Sequence, residues 1–205
     1  MFNPGMLYGV NLAPNCYAQW HFDESSGTNA ADSSGHGRNG TTQNTPTWVA
    51  GKLNNCLNFV GTSSQYVDCG AIADFEYDIP RSYEFWFNTT TGTSDVLMKY
   101  NTGTIRGLSI DLNGGAVYFL LASSITNYLL CQTTIATYAD GNWHHCIITY
   151  NGNHLASGLN FYVDGAVRAK TTVLDNLGAS TVLNSINFQI ILFSFIVIIR
   201  DKYST

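Results

Sequence analysis

Charge is scarce in this chain. Of its 205 residues only 9 are Lys or Arg and 14 are Asp or Glu, and the formal net charge is -5. With no basic cluster there is no electrostatic footprint for nucleic acid, and that class of partner is excluded. The five cysteines (Cys16, Cys56, Cys69, Cys131, Cys146) are odd in number and show no C-x-x-C spacing, so a zinc site has no support. A chain of this length does not need disulfide staples, which leaves the thiols as small apolar strand residues. Residues 1–15 lack both a basic start and a long apolar run, so no secretory signal peptide is predicted. Convincing helical periodicity is missing as well.

What the chain has instead is 45% hydrophobic and 13% aromatic residues, with its polarity supplied by Asn, Ser, Thr, Gln and Gly. That is the make-up of a turn-rich β protein with a neutral polar surface. Between Asp140 and Lys170 two alternating runs carry the clearest signal. Cys146, Ile148 and Tyr150 point one way and His145, Ile147 and Thr149 the other; Leu159, Phe161 and Val163 then alternate with Asn160 and Tyr162. Asp164-Gly165 supplies the two positive-φ positions of a tight hairpin turn. Further strands are predicted at 17–24, around Leu57 and Phe59, at 66–69, at 82–88, and at 108–112 and 117–121 about a turn at Asn113-Gly114. The 82–88 run is apolar on both faces, Tyr83, Phe85 and Phe87 against Trp86, as expected for a strand covered on both sides. Regular strands with turn signals between them indicate an all-β, antiparallel two-sheet β-sandwich of the jelly-roll kind.

Several ordered motifs carry a resemblance. The string 17–27 (YAQWHFDESSG) is followed by 31–40 (ADSSGHGRNG), then by Trp48 to Lys52, Asn55 to Phe59, Tyr66-Val67, Glu84 to Phe87, Gly141 to His145 and Ala156 to Gly165. Over roughly Tyr17 to Leu177 the chain resembles laminin G-like domains of the concanavalin A-like lectin/glucanase superfamily. The resemblance implies a non-catalytic, lectin-like module binding carbohydrate or protein ligands at a cell or particle surface, outside the cell or on a virion. A structural or adhesion domain of a virion or surface appendage is the alternative, and a degenerate polysaccharide-active enzyme a third. It also implies a structural Ca²⁺ near the 23–39 loop, where Glu24 and Asp32 are the candidate ligands. Calcium wants carboxylate and carbonyl oxygens from turns; the competing role for Asp32 is to organise an Asx turn.

The resemblance ends before the C-terminus. The chain divides into an N-terminal extension (1–16), the jelly-roll domain (17–185) and an atypical apolar segment (186–205) that lacks the acidic pair such domains carry there. Residues 186–199 have three readings: a closing strand laid against 17–24, a membrane-spanning helix, or an aberrant terminus. The apolar stretch is short of the ~20 residues a membrane helix needs, and any membrane association rests on it alone.

For chemistry the motifs are weak. Gly35 to Gly40 matches G-x-G-x-x-G, but Thr41 to Pro46 cannot open the helix on which a pyrophosphate sits. Glu76-Tyr77-Asp78 begins like a glycanase E-x-D-x-x-E strand and then places Arg81 where the second carboxylate belongs. His144 and His145 are adjacent on a strand and face opposite sides, which prevents joint chelation. For a glycan or surface-protein partner, Tyr100, Tyr128 and Tyr138 in loop-like segments are the candidate ligand-binding residues, since an aromatic ring offers a flat apolar face and a polar tip.

Overall fold

The structure, a computed structural model, describes residues 16–191 and 194–201. The strands run β1 (Cys16–Trp20), β2 (Asn29–Ala30), β3 (Gly40–Gln43), β4 (Thr47–Ala50), β5 (Asn55–Asn58) and β6 (Tyr66–Asp68). The longer ones follow: β7 (Arg81–Asn88), β8 (Ser94–Asn101), β9 (Arg106–Asn113), β10 (Ala116–Ser124), β11 (Asn127–Thr133) and β12 (Trp143–Tyr150). The last five are β13 (Leu159–Val163), β14 (Ala166–Arg168), β15 (Lys170–Asp175), β16 (Gln189–Ile190) and β17 (Ser194–Asp201). Six of them form one sheet in the order β1-β17-β7-β12-β13-β14, and nine form a second, β15-β11-β10-β9-β8-β16-β6-β3-β2. β4 and β5 pair as a separate hairpin.

The two large sheets bury the residues that the alternation assigned inward. Cys146, Ile148, Leu159, Phe161 and Val163 are fully buried, and so are Trp20, Phe85 and Phe87. From the nine-stranded sheet Leu97, Ile110, Phe119, Leu129 and Cys131 meet them in the same core. Each large side chain so buried stabilises the fold by about 1.5–3 kcal/mol. The turn at Asp164-Gly165 has φ of 55° and 75°, the pair of left-handed positions that Asp-Gly was expected to supply.

Three expectations need correction. β7 alternates between buried and half-buried along its length, so Trp86 faces outward and stacks on His145 at 4.9 Å; the strand is covered on one side. β1 stops at Trp20, and Phe22 reaches the core from a left-handed backbone position with φ of 57°. Finally, the membrane-helix reading of 186–199 is overturned: among the described residues this stretch forms β16 and β17, and no described helix is long and apolar enough to cross a membrane.

β17 is the closing strand. It lies between β1 and β7, with Ile199 in register with both Ala18 and Tyr83 and fully buried. Its β-branched sequence suits a strand. The acidic residue of the contact sits on the partner strand: Arg200 donates to Glu84 Oε2 at 2.7 Å, and Glu84 also meets His145 Nε2 at 3.1 Å. The His145 hydrogen bond, working against burial and helped by Arg200, holds the Glu84 carboxyl below the ordinary carboxylate value. The 1–16 extension lies outside the described residues except for Cys16.

Candidate functional site

At one end of the nine-stranded sheet the chain leaves a groove of about 500 Å³ between the 59–66 and 89–95 segments. β6 begins at Tyr66 and β8 at Ser94, so both walls are loops entering adjacent parts of the sheet. β16 inserts between those two strands, with Ile190 opposite Val67 on one side and Leu97 on the other, and supplies Gln189 as floor. The walls carry Thr91, Thr93, Ser94 and Asp95, and the rings of Phe59 and Tyr66. Hydroxyl and amide groups around the half-buried Tyr66 ring, backed by the core residue Phe59, make a surface that can hydrogen-bond a polyhydroxylated ligand and pack its apolar face.

The groove opens towards a row of outward-facing side chains on β8 to β11. Asp95 and Asp111 are directly opposed across β8 and β9, and Asp111 is opposite Tyr118 on β10. Ser109 donates its hydroxyl to Asp111 Oδ1 at 2.5 Å. Burial, with the facing Asp95 adding to it and Ser109 opposing, pushes the Asp111 carboxyl up to about 7. Two carboxylates this close cannot both ionise cheaply, so the pair holds a proton near neutral pH.

This shift has a stability consequence with a definite sign. An acid whose folded pKa lies above its unfolded value near 3.9 takes up its proton in the fold first, so stability rises as pH falls from above 7 towards 4. Asp111→Asn is expected to flatten that slope and to stabilise the protein at pH 8 by about 1–2 kcal/mol, read as a melting temperature higher by a few degrees. A slope unchanged in the variant would assign the effect elsewhere. Asp32, Glu84, Asp140 and Asp164 are shifted down and act oppositely: what they contribute is present above pH ~4 and lost as pH falls through their folded values.

The tyrosines chosen from sequence separate into two groups. Tyr100 lies in β8 and Tyr128 in β11, in strands where loops were expected. Tyr100 is opposite Gly107, Gly107 opposite Ala122, and Ala122 opposite Tyr128, so two half-buried rings flank two small residues on the face that carries Asp111. Burial, then Asp111 and Tyr128, push the Tyr100 hydroxyl up, which places the three groups in one electrostatic neighbourhood. Tyr138 corrects the expectation: it is 3% exposed and packs edge-on against His144 at 5.3 Å, so its ring offers no surface to a ligand.

The calcium expectation meets a filled carboxylate. Asp32 Oδ1 accepts the backbone N–H groups of Gln19 (3.0 Å) and Ser34 (2.9 Å), and Oδ2 accepts the Ser34 hydroxyl (2.8 Å) and the Arg38 N–H (2.8 Å). Burial alone would raise this carboxyl, and those donors outweigh it and hold it below the ordinary value. Glu24 Oε1 takes the Ala31 N–H, and the main-chain oxygens of Asp23 and Glu24 both face the Asn55 amide. Calcium takes six to eight oxygens, and here Glu24 Oε2 is the carboxylate oxygen of the expected pair without a donor. Among the described residues no three His, Cys, Asp or Glu side chains gather as a metal cluster. The residues present do not fit a calcium ion at Asp32; its carboxylate organises the 32–38 loop, as an Asx-type turn does.

The other motifs are also structural. Glu76 accepts the Thr181 hydroxyl and the Val182 N–H, tying the approach to β7 onto the 181–182 segment. His144 faces inward, its nitrogens on Asp140 (3.1 Å) and Asp164 (2.8 Å), while His145 faces outward to Glu84. Gly35 and Gly37, with φ of 90° and 70°, belong to an irregular loop.

Comparison with known proteins agrees with this architecture. The structure is similar to the binding domain of Paraclostridial Mosquitocidal Protein 1, with a TM-score of 0.65 at 15% identity over 91% of this chain and 48% of that one. It is similar to the botulinum neurotoxin serotype G binding domain, with a TM-score of 0.59 at 14% identity over 93% of this chain and 49% of that one. A third, the botulinum neurotoxin serotype D ligand binding domain in complex with N-acetylneuraminic acid, gives 0.59 at 13% identity over 92% and 46%. The chain thus spans about half the length of these structures. A comparison with curated proteins returned no match. A laminin G family model, described as concanavalin A-like lectin/glucanases superfamily, matches residues 60–190, well over half the chain, and with the two-sheet fold this places the protein in that laminin G-like family.

Proposed function

We propose that this chain is a non-catalytic recognition module, acting outside the cell or on a particle surface, that holds a saccharide in the groove between the 59–66 and 89–95 segments. The observation that carries the reading is the groove itself: about 500 Å³, open at the end of the sheet, and lined by Phe59 and Tyr66 among hydroxyl and amide side chains. Tyr100 and Tyr128 extend the same surface for a longer ligand. The neighbouring structures support the reading, since they are binding domains, one of them in complex with N-acetylneuraminic acid. The two opposed carboxylates that face the groove do not argue for glycoside hydrolysis. Asp111 is half-buried and stands directly across from Asp95 in the ladder, its hydroxyl partner Ser109 beside it, so the pair is not two carboxyls flanking an open cleft as a glycosidase requires.

A glycan array followed by calorimetric titration tests the proposal. Saturable binding is expected, and Tyr66→Ala, which removes a half-buried ring from the wall, is expected to weaken it about tenfold or more while leaving the fold intact. Binding unaltered by Tyr66→Ala would move the site away from the groove.

A second reading has an observation of its own. The outward face of the six-stranded sheet carries Trp86 stacked on His145, with Ile147 opposite Tyr162 and Val167 70% exposed beyond them. Apolar side chains set among the Glu84–Arg200 pair, His145 and Lys52, whose ammonium group lies 5.7 Å over the Trp86 ring, make a mixed surface that suits a protein partner, the contact an adhesion domain makes.

A further inference from the structure

We infer that the groove selects uncharged saccharides and rejects sialylated ones. The inference rests on the saccharide reading above and sharpens it to a ligand class. Its basis is the charge of every element around the groove.

The lining contains no Lys, Arg or His among its described residues, and its ionisable side chains are Asp95 and Tyr66. β6 contributes Asp68, directly opposite the floor residue Gln189, with its carboxylate held by the Asn187 amide and the Gly70 N–H. β9 contributes Asp111, across from Asp95. The sequences of β3, β10 and β16 hold no charged residue, and neither do the 59–65 and 89–93 segments.

The basic residues of the neighbouring strands are turned elsewhere. Lys99 of β8 is 4% exposed; its ammonium group donates to the Ile186 carbonyl and pairs with Asp74 at 3.1 Å. Arg106 stands at the opposite end of β9 from Asp111, its Nε–H donating to the Ser123 carbonyl. A ligand carboxylate entering the groove therefore meets the net negative charge of the Asp95–Asp111 pair, with Asp68 behind it, and no cation among the described residues. Like charges juxtaposed at a recognition surface suppress binding of the wrong partner. A neutral sugar meets the same groups as hydrogen-bond acceptors for its hydroxyls, and the protonated member of the Asp95–Asp111 pair adds a donor.

The experiment uses an array of matched glycans that differ only by a terminal N-acetylneuraminic acid, followed by titration of the best-bound pair against the wild-type chain and Asp95→Asn. Asp95 is exposed, so the variant is expected to fold, and its melting curve is recorded alongside as the control. The neutral member is expected to bind at least about tenfold more tightly than its sialylated counterpart. That gap should widen when salt is lowered from 0.3 to 0.03 M, because screening weakens, and narrow in Asp95→Asn. Equal or tighter binding of the sialylated member overturns the inference and leaves the saccharide reading standing. A gap that is insensitive to both salt and Asp95→Asn also overturns it, since selectivity would then come from shape. Silence of every glycan, neutral and sialylated, overturns the saccharide reading and the inference with it.

Discussion

Ending the chain before Ser194 is expected to abolish cooperative folding. β17 stands inside the six-stranded sheet, so its loss leaves β1 without its strand partner and strips β7 of one of its two. Ile199 leaves the core, and the ion pair between Arg200 and Glu84 goes with it. Each buried backbone donor or acceptor left without a partner costs about 1–3 kcal/mol. Several of these together, added to the lost apolar burial, exceed the about 5–15 kcal/mol by which a domain of this kind is stable. Circular dichroism during heating should show a shallow, non-cooperative change, and a hydrophobic dye should bind before heating. A sharp transition within a few degrees of the full chain would show that β1 and β7 close without the strand.

Trp20→Ala is the most damaging single substitution expected. The indole is fully buried, stacks on Phe188 at 6.2 Å, and donates its Nε1–H to the Arg38 carbonyl at 2.9 Å. It therefore joins the first strand, the 32–38 loop and the segment that leads into β16. Truncation removes ring packing worth about 3–5 kcal/mol and leaves a cavity, and the stranded carbonyl adds about 1–3 kcal/mol. With about 2–4 °C lost per kcal/mol in a chain of this length, thermal unfolding should begin more than ten degrees earlier. Trp20→Phe separates the two contributions, since it keeps most of the ring contact and loses only the N–H donor. It should cost about 1–2 kcal/mol. Equal losses in the two variants would assign the whole effect to the hydrogen bond.

The fold was legible in the sequence where the two-residue period ran unbroken. β12, β13 and the Asp164-Gly165 turn stand where alternation placed them, because a strand with one buried face must keep its register. β8 was hidden for a physical reason. A bulge between Asp95 and Leu97 puts Val96 and Leu97 in the interior consecutively, and Lys99 is buried where the pattern calls for an apolar residue. Broken alternation and a buried ammonium group read as loop, which is why Tyr100 was assigned to one. β15 was obscured in the same way by an irregularity in its pairing with β11, which leaves Val173 50% exposed.

The candidate site was less legible still. Phe59 and Tyr66, Asp95, and Gln189 come from three separate stretches of chain and meet only because β16 slots between β6 and β8. No local motif announces that insertion. Asp95 and Asp111 are likewise partners by strand register alone, since nothing in their own surroundings marks them as a pair. Asp32, by contrast, drew notice as one of several acidic residues in a short loop, and its carboxylate proves to be fully used by neighbouring N–H and O–H groups.

Recognition in the groove at the end of the nine-stranded sheet is best tested by backbone amide chemical-shift mapping with the tightest-binding neutral oligosaccharide from the array. The groove reading requires the largest changes at residues 59–66, 89–95 and 189–191, extending along β8 and β9 for a longer ligand. Changes confined to Trp86, His145, Ile147 and Tyr162 on the opposite face would contradict it.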